Sequence, residues 1–262
     1  MKLINNKTLM VALILFSVFG YIVSCTHDNA VAPPPASNTP VITHGTNVHL
    51  PGSQTAGDST SWKFDKSHSS ALWSTNYLGA AGLLTGRFNK FGLADVTSDK
   101  AIYYAVNGQP LPDTFWAFYE NEPSKTYFNG YVQINTSNTG EPGRDTGCNI
   151  GNLGTIKIIS GMQNLTDSNV AKIKTQKVEF DKLSTDYIVT FSFTWRGKLT
   201  APKTITLTGR LKYIPKAKLT PQNYSVFGLQ LKFQFDCREF GITSTSISDK
   251  IDIECNMNFK NQ

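Results

Sequence analysis

Histidine is scarce in this chain: only four of 262 residues, and His27, His44 and His49 all precede residue 60, leaving His68 alone beyond it. A Ser-His-Asp triad or a His-rich metal centre therefore has almost nothing to draw on. Cys-x-x-Cys pairs, a Gly-rich phosphate loop and paired-carboxylate motifs are also missing. His68-Ser69, Arg144-Asp145 and Arg238-Glu239 come nearest to catalytic pairs, and each reads better as a hydrogen-bonding or ion pair of the fold. No enzyme, no cofactor and no metal are expected. Charge is thin too, at 17% of residues, and the cations (Lys63, Lys172, Lys174, Arg210, Lys212) are scattered singly. That pattern is a solvated face rather than a nucleic-acid surface. Long amphipathic helical periodicity is absent, since residues 80–84 are too short and glycine-rich to supply it.

What is present begins with a leader. Lys2 and Lys7 precede an apolar run from Leu9 to Val23, and Ile22-Val23-Ser24-Cys25 closes it, the order of a secretory signal. The run is shorter than the ~20 residues a membrane-spanning helix needs, and no later stretch reaches that length. The small residue before Cys25 resembles a bacterial lipobox, which makes Cys25 the expected lipid-attachment site; stable anchoring takes two acyl chains or more. Loss of Lys2 and Lys7 with residues 1–24 lowers the formal net charge of +6 by two, to +4. Residues 25–59 turn to Pro, Ala, Asn, Thr, Gly and Ser, including Pro33-Pro34-Pro35, a stretch that cannot bury enough apolar surface to order itself. It reads as a leash to one domain over residues 60–262. Thr26 carries no inner-membrane retention signal of the Asp type, so the expected location is the outer membrane, facing periplasm or exterior.

Period-two alternation dominates the domain and marks strands with one buried face. Tyr187, Val189, Phe191, Phe193 and Trp195 share one face; Ile205, Leu207, Leu211 and Tyr213 form another. Leu229, Leu231, Phe233, Phe235 and Cys237 follow, then Ile251, Ile253, Cys255, Met257 and Phe259. Shorter runs are Ala71, Trp73, Thr75, Tyr77 and Val132, Ile134, Thr136. The expected class is all-β, a sandwich or an up-and-down barrel, and pattern alone does not choose. Cys237 and Cys255 fall on the inward face of the last two strands. They form either a disulfide, if geometry allows, or two buried thiols. Cys148 is not expected to partner either of them.

Several motifs resemble those of the YceI-like family. Trp62-Lys63-Phe64-Asp65-Lys66-Ser67-His68-Ser69 is similar to its opening, aromatic-x-hydrophobic-Asp-x-x-His-Ser. Trp73 takes the place of a family Phe, and Gly86-Arg87-Phe88 with Phe91-Gly92 resembles a glycine–aromatic element. Ile134-Asn135-Thr136 with Gly143-Arg144-Asp145, Phe193-Thr194-Trp195-Arg196-Gly197 running on into Lys203–Leu207, and Arg238-Glu239-Phe240-Gly241-Ile242 continue the order. The resemblance implies an elongated, lipocalin-like antiparallel barrel of about eight strands that binds polyisoprenoid or similar long apolar chains in a tunnel. Three departures stand out. Tyr77 replaces a second family His, residues 101–125 resemble an aromatic insertion, and Thr146 to Gly151 replace a helical turn.

A barrel of about eight strands is just wide enough to be filled by side chains or to hold one ligand. The inward residues either pack on one another or line the tunnel that the resemblance implies. The expected lining is Trp73, Phe88, Ile134, Phe180, Val189, Phe191, Phe193, Trp195, Ile205, Leu207, Leu231, Phe233, Phe235, Ile251 and Ile253. The expected function is a membrane-tethered carrier whose partner is an apolar lipid. The alternative is a surface module that binds protein or glycan through Phe115, Trp116, Phe118 and Tyr119, with the interior filled. The same aromatics could instead cover the barrel mouth as a lid.

Overall fold

Strand alternation is cleanest at Asp186–Trp195, where every odd residue from Tyr187 onward is buried and every even one is only partly covered. Fully burying a side chain such as Phe191 is worth roughly 1.5–3 kcal/mol, so this repeat commits the segment to a one-sided strand. The computed structural model describes residues 41–43, 47–48, 62–78, 81–96, 111–141, 170–219 and 223–261. Cys25, the 1–24 leader, most of the 25–59 leash, Arg144-Asp145 and Cys148 lie outside the described residues.

In chain order the strands are β1 (Val41–Thr43), β2 (Asn47–Val48), β3 (Lys63–Phe64), β4 (Ser70–Tyr77), β5 (Gly82–Phe88), β6 (Phe91–Gly92) and β7 (Trp116–Tyr119). They continue as β8 (Tyr127–Gln133), β9 (Ser137–Asn138), β10 (Val170–Asp181), β11 (Asp186–Trp195), β12 (Lys203–Leu219), β13 (Tyr224–Asp236) and β14 (Lys250–Lys260). All pairings are antiparallel. Two breaks hide longer strands: β5 and β6 together pair with β8 and β9, through Phe88↔Ser137 and Phe91↔Val132. Between them Ile134–Thr136 makes one 3-10 turn, so the expected Val132, Ile134, Thr136 strand run is interrupted there. The turn is secured by Thr136 Oγ1, which donates to Gln133 O at 2.7 Å and accepts from Lys90 N at 3.0 Å.

Counted this way, eight long strands each pair with the next in sequence, and β14 returns to β4 through Asp252↔Ser74 to Asn256↔Ser70. That is an up-and-down antiparallel barrel of the expected class. Among the described residues the only helices are short 3-10 turns. Bulges bend it: one at Thr175/Lys177 in β10, another between Ile214 and Ala217 in β12. Pro215 lies inside the second, a place where a residue without an N–H does not break the ladder.

The closing seam is fastened by residues 62–69. Asp65 N donates to Asn258 O at 2.7 Å, and Ser69 Oγ donates to Asp65 O at 2.7 Å while accepting from Asn258 N at 2.9 Å. His68 Nδ1 lies 2.8 Å from Asp65 Oδ2, and Lys260 Nζ lies 3.6 Å from the same oxygen. Burial works to raise the Asp65 pKa, but the His68 hydrogen bond and the Lys260 charge outweigh it and hold the carboxyl below its ordinary range. At the opposite end, Gly197 has φ +56, and a Cβ there would stand 2.4 Å from Phe240 O.

A carboxyl with a depressed folded-state pKa contributes stability above its unfolded value, near 4, and loses it as pH falls. Acid unfolding of the wild type is expected to steepen below about pH 4, and Asp65→Asn to flatten that limb. Superimposable acid limbs in a pH series of melts would contradict this. Gly197→Ala combines left-handed strain with a backbone clash and is expected to cost about 2–4 kcal/mol in denaturant titration. A cost near zero would mean that the Phe240 contact is not as described.

Candidate functional site

Inward-facing residues from every long strand except β12 leave a cavity of about 90 Å³. Its wall is carbon: Trp73 and Ala71 from β4, Phe88 and Phe91 from the β5–β6 strand, Phe128 and Val132 from β8, and Ile173 from β10. Phe193, Trp195, Leu231, Phe233, Phe235, Ile251, Ile253 and Met257 complete the far side. Trp73 is fixed in its rotamer. Its indole N–H donates to Ser137 Oγ at 2.7 Å, and its ring lies flush on Gly86, where a Cβ would come within 2.6 Å. The Gly86-Arg87-Phe88 element thus makes room for an aromatic wall.

Rings shut both ends. At one end Trp116 packs on Phe259 with centroids 4.3 Å apart, and Phe227 stacks on Phe259 at 4.6 Å. Trp62 meets Phe227 at 4.9 Å, and Phe118 meets Tyr213 at 4.8 Å. Trp116 and Phe118 are buried and form the lid, while Phe115 and Tyr119 of the same stretch stay exposed or partly exposed. Tyr187 helps to hold the lid, its hydroxyl donating to Glu120 O at 3.0 Å. Burial pushes the Tyr187 pKa up to about 12. Asp113 anchors the same segment by accepting from Leu93 N at 2.7 Å and pairing with Lys66 at 2.9 Å.

At the other end Phe240 lies against Trp195 and Phe193, each at 5.3 Å, and Phe235 at 5.8 Å. Arg238 holds the loop beneath it, donating to the carbonyls of Ile242, Ser244 and Ile247 at 2.8–2.9 Å. Lys198 N donates to Phe240 O, so the Trp195-Arg196-Gly197 and Arg238-to-Gly241 motifs meet in one plug.

The fifteen residues expected to line a tunnel divide. Trp73, Phe88, Ile134, Phe193, Trp195, Leu231, Phe233, Phe235, Ile251 and Ile253 border the cavity. Val189 and Phe191 face inward but are wholly covered by neighbours and do not reach it. Ile205 and Leu207 face inward, partly exposed and off the cavity. Phe180 has the inward parity, opposite Tyr187, but β10 has by then run past the barrel rim, and it is 45% exposed. Lining residues not expected include Phe64, Phe91, Phe128, Ile173 and Met257. Met257 lay on an inward face already recognised, and Phe91 in a recognised motif. Phe128 alternates with Gly130 and Val132, a weak signal that a glycine interrupts.

The possible disulfide is corrected: Cys237 and Cys255 are both free. Cys255 stands opposite Leu231, whereas Cys237 follows the Asp236↔Lys250 pair and opens a 3-10 turn. Five strand steps from Lys250 to Cys255, at ~3.3 Å each, far exceed the ~7 Å Cα limit of a disulfide. Cys255 looks into the cavity, and burial pushes its thiol up to about 12.

Residues 62–259 match the YceI-like domain family. No curated protein matches the chain. Solved structures similar to it include Burkholderia cenocepacia BcnA, 11% identical with a TM-score of 0.43 over 75% of this chain and 99% of that one. A Campylobacter jejuni YceI protein is 14% identical, TM-score 0.40, over 67% of this chain and 83% of that one. A polyisoprenoid binding domain from Saccharophagus degradans, implicated in plant cell wall breakdown, is 12% identical, TM-score 0.39, over 78% and 99%.

A buried phenol with a raised pKa favours the folded state while it keeps its proton. Its contribution is complete below the unfolded value near 10 and is lost as pH rises toward 12. Wild-type melting temperature is expected to fall faster across that window than that of Tyr187→Phe; parallel alkaline limbs would contradict the role given to Tyr187.

Proposed function

We propose, from the premise that this chain belongs to the YceI-like domain family, that it is a membrane-tethered carrier holding a long apolar, polyisoprenoid-like lipid in its barrel. The observation that carries this reading is the carbon-lined cavity closed at both ends by rings. A volume of about 90 Å³ is smaller than the ~150 Å³ that holds a benzene in an apolar protein cavity. A long guest therefore displaces side chains. The rings placed to give way are Phe193, Phe233 and Phe235, which border the cavity and pack on one another without a side-chain tether. Trp73, tied to Ser137, stays.

The energetics suit loading and release. Transferring ~40 carbons from water at ~0.8 kcal/mol per methylene would exceed the ~20 kcal/mol ceiling of observed affinities. The relevant donor is a bilayer, where the chain is already out of water. The barrel need only match the bilayer, so exchange runs near balance. An acylated Cys25 would keep the domain beside its supply and raise the effective concentration. In this reading the protein is exported, outer-membrane anchored and not an enzyme. His68 and Asp65 serve barrel closure. The surface-module alternative keeps Phe115 and Tyr119 at the surface but loses Trp116 and Phe118, which are spent on the lid.

Full-length protein extracted gently from its own membrane is expected to carry a long apolar molecule detectable by lipid mass spectrometry. Ile253→Trp, which fills the cavity, should abolish copurification while leaving the melt cooperative. Trp116→Ala with Phe118→Ala should lose the lipid by opening the lid. Ligand-free wild-type protein, or unchanged lipid in Ile253→Trp, would defeat the proposal.

A further inference from the structure

Packed rings occupy both barrel ends, which makes the wall a route worth following for a guest. Among the described residues, β12 and β13 are neighbouring strands that both run on past the end of their shared ladder. The β12–β13 ladder runs from Leu219↔Tyr224 to Arg210↔Lys232 and stops. Beyond it β12 continues for the seven residues 203–209 and β13 for the four residues 233–236. Each stretch is paired on its far side only, the first with β11 and the second with β14. The seams at β4–β14 and at the β5–β6 break are tied beyond their ladders. At β4 and β14, below the last paired residues, Thr75 Oγ1 donates to Lys250 O at 2.9 Å and Ser248 N to Asn76 O at 2.9 Å. At the β5–β6 break, Asn89 N donates to Thr136 O at 3.0 Å and Gln133 N to Lys90 O at 2.9 Å. The parting begins just past Gly209, where a Cβ would still lie 3.1 Å from Phe233 Cβ.

The side chains at the parting show what it could pass. Ile205 and Leu207 face inward, across from Phe193 and Phe191, yet both are partly exposed. Neither borders the cavity, so their free surface looks outward. Leu211, on the same face of the same strand but beneath the intact ladder, is completely covered. Between this outer apolar sill and the cavity stand Phe193, Phe233 and Phe235, all of which line the cavity. Phe193 lies 6.1 Å from Phe233 and 4.9 Å from Phe235, centroid to centroid. At the foot of the parting the Lys203 ammonium pairs with the Glu239 carboxylate, both about half exposed, a class of contact that holds weakly.

We propose that the parted β12–β13 seam is a side gate through which a hydrocarbon chain passes between membrane and cavity. Ile205 and Leu207 form its sill and the rings of Phe193, Phe233 and Phe235 its leaves. This rests on the reading of the cavity as a lipid site. Between paired strands, passage would break backbone hydrogen bonds, each costly to leave unmade in an apolar setting. At the seam only ring contacts yield, by rotation about side-chain bonds. The sill offers a continuous apolar surface from outside to inside, so a chain sliding inward is never surrounded by water.

The test uses the full chain carrying Thr206→Cys and Gln234→Cys, two exposed residues on either side of the seam. A short bis-maleimide joins them, and peptide mass spectrometry verifies the link. Uptake of a pyrene-labelled long-chain alkane is followed from phosphatidylethanolamine–phosphatidylglycerol vesicles. Before linking, the variant is expected to load at the wild-type rate; after linking, loading slows by about tenfold or more, as for other gated sites. Equal rates before and after linking overturn the gate and leave the lipid reading standing. Absence of uptake by the unlinked chain overturns the lipid reading and the gate with it. Phe235→Ala, which removes one leaf, is expected to load faster than wild type; a slower or unchanged rate counts against the gate.

Discussion

Every inward-facing residue in this protein owes its environment to the meeting of the first long strand with the last. An open sheet of eight strands would leave two edges of unpaired backbone and let its apolar face flatten or pair with another chain. Here β14 returns to β4, and the join is reinforced by residues that do not belong to either ladder. Asp65 and Ser69 engage Asn258 on its amide and carbonyl, while His68 and Lys260 hold the Asp65 carboxylate. Closure fixes the number of strands, and strand number fixes the bore. At eight strands the bore matches the size of side chains, which is why a cavity of about 90 Å³ and tight ring packing coexist in one interior.

The chain spends its aromatic residues unevenly along that bore. The lid end gathers Trp62, Trp116, Phe118, Phe227 and Phe259, all buried in contact with one another. The other end relies on Phe240 held under Trp195, with Arg238 satisfying three loop carbonyls beneath it. Between the plugs the lining mixes rings with branched aliphatics and flexible Met257. Rings held by polar clamps at the ends resist opening, whereas the untethered side chains between them can rearrange. A container for a flexible hydrocarbon has that distribution of stiffness.

Much of this was legible in the sequence because it is local. Alternation over Tyr187 to Trp195 and over Ile251 to Phe259 gives both strand and facing. Gly143-Arg144-Asp145 apart, which lie outside the described residues, the motif order from Trp62 to Ile242 matches residues that the structure brings together at closure, wall and plug. What escaped is non-local. The extra residue at the Thr175/Lys177 bulge and the 3-10 turn at Ile134–Thr136 shift register without altering composition. Phe180 keeps the right parity yet overshoots the rim, since strand pattern carries no mark of where neighbours end. Cys237 continues the alternation of β13 but is turned aside by the Asp236 cap, whose carboxylate accepts from Arg238 N. The parting of β12 from β13 leaves both strands with unbroken alternation, and only the pairing reveals it.

The central claim is that the space among Trp73, Phe128, Leu231, Phe233 and Ile253 belongs to a hydrocarbon guest. Diffraction from crystals of the chain purified with its native membrane lipid tests it most directly. The account requires elongated density without polar neighbours in that space, with Phe193, Phe233 or Phe235 turned from the positions described here. Side chains closed on one another with no density between them, or ordered water in the cavity, would contradict it.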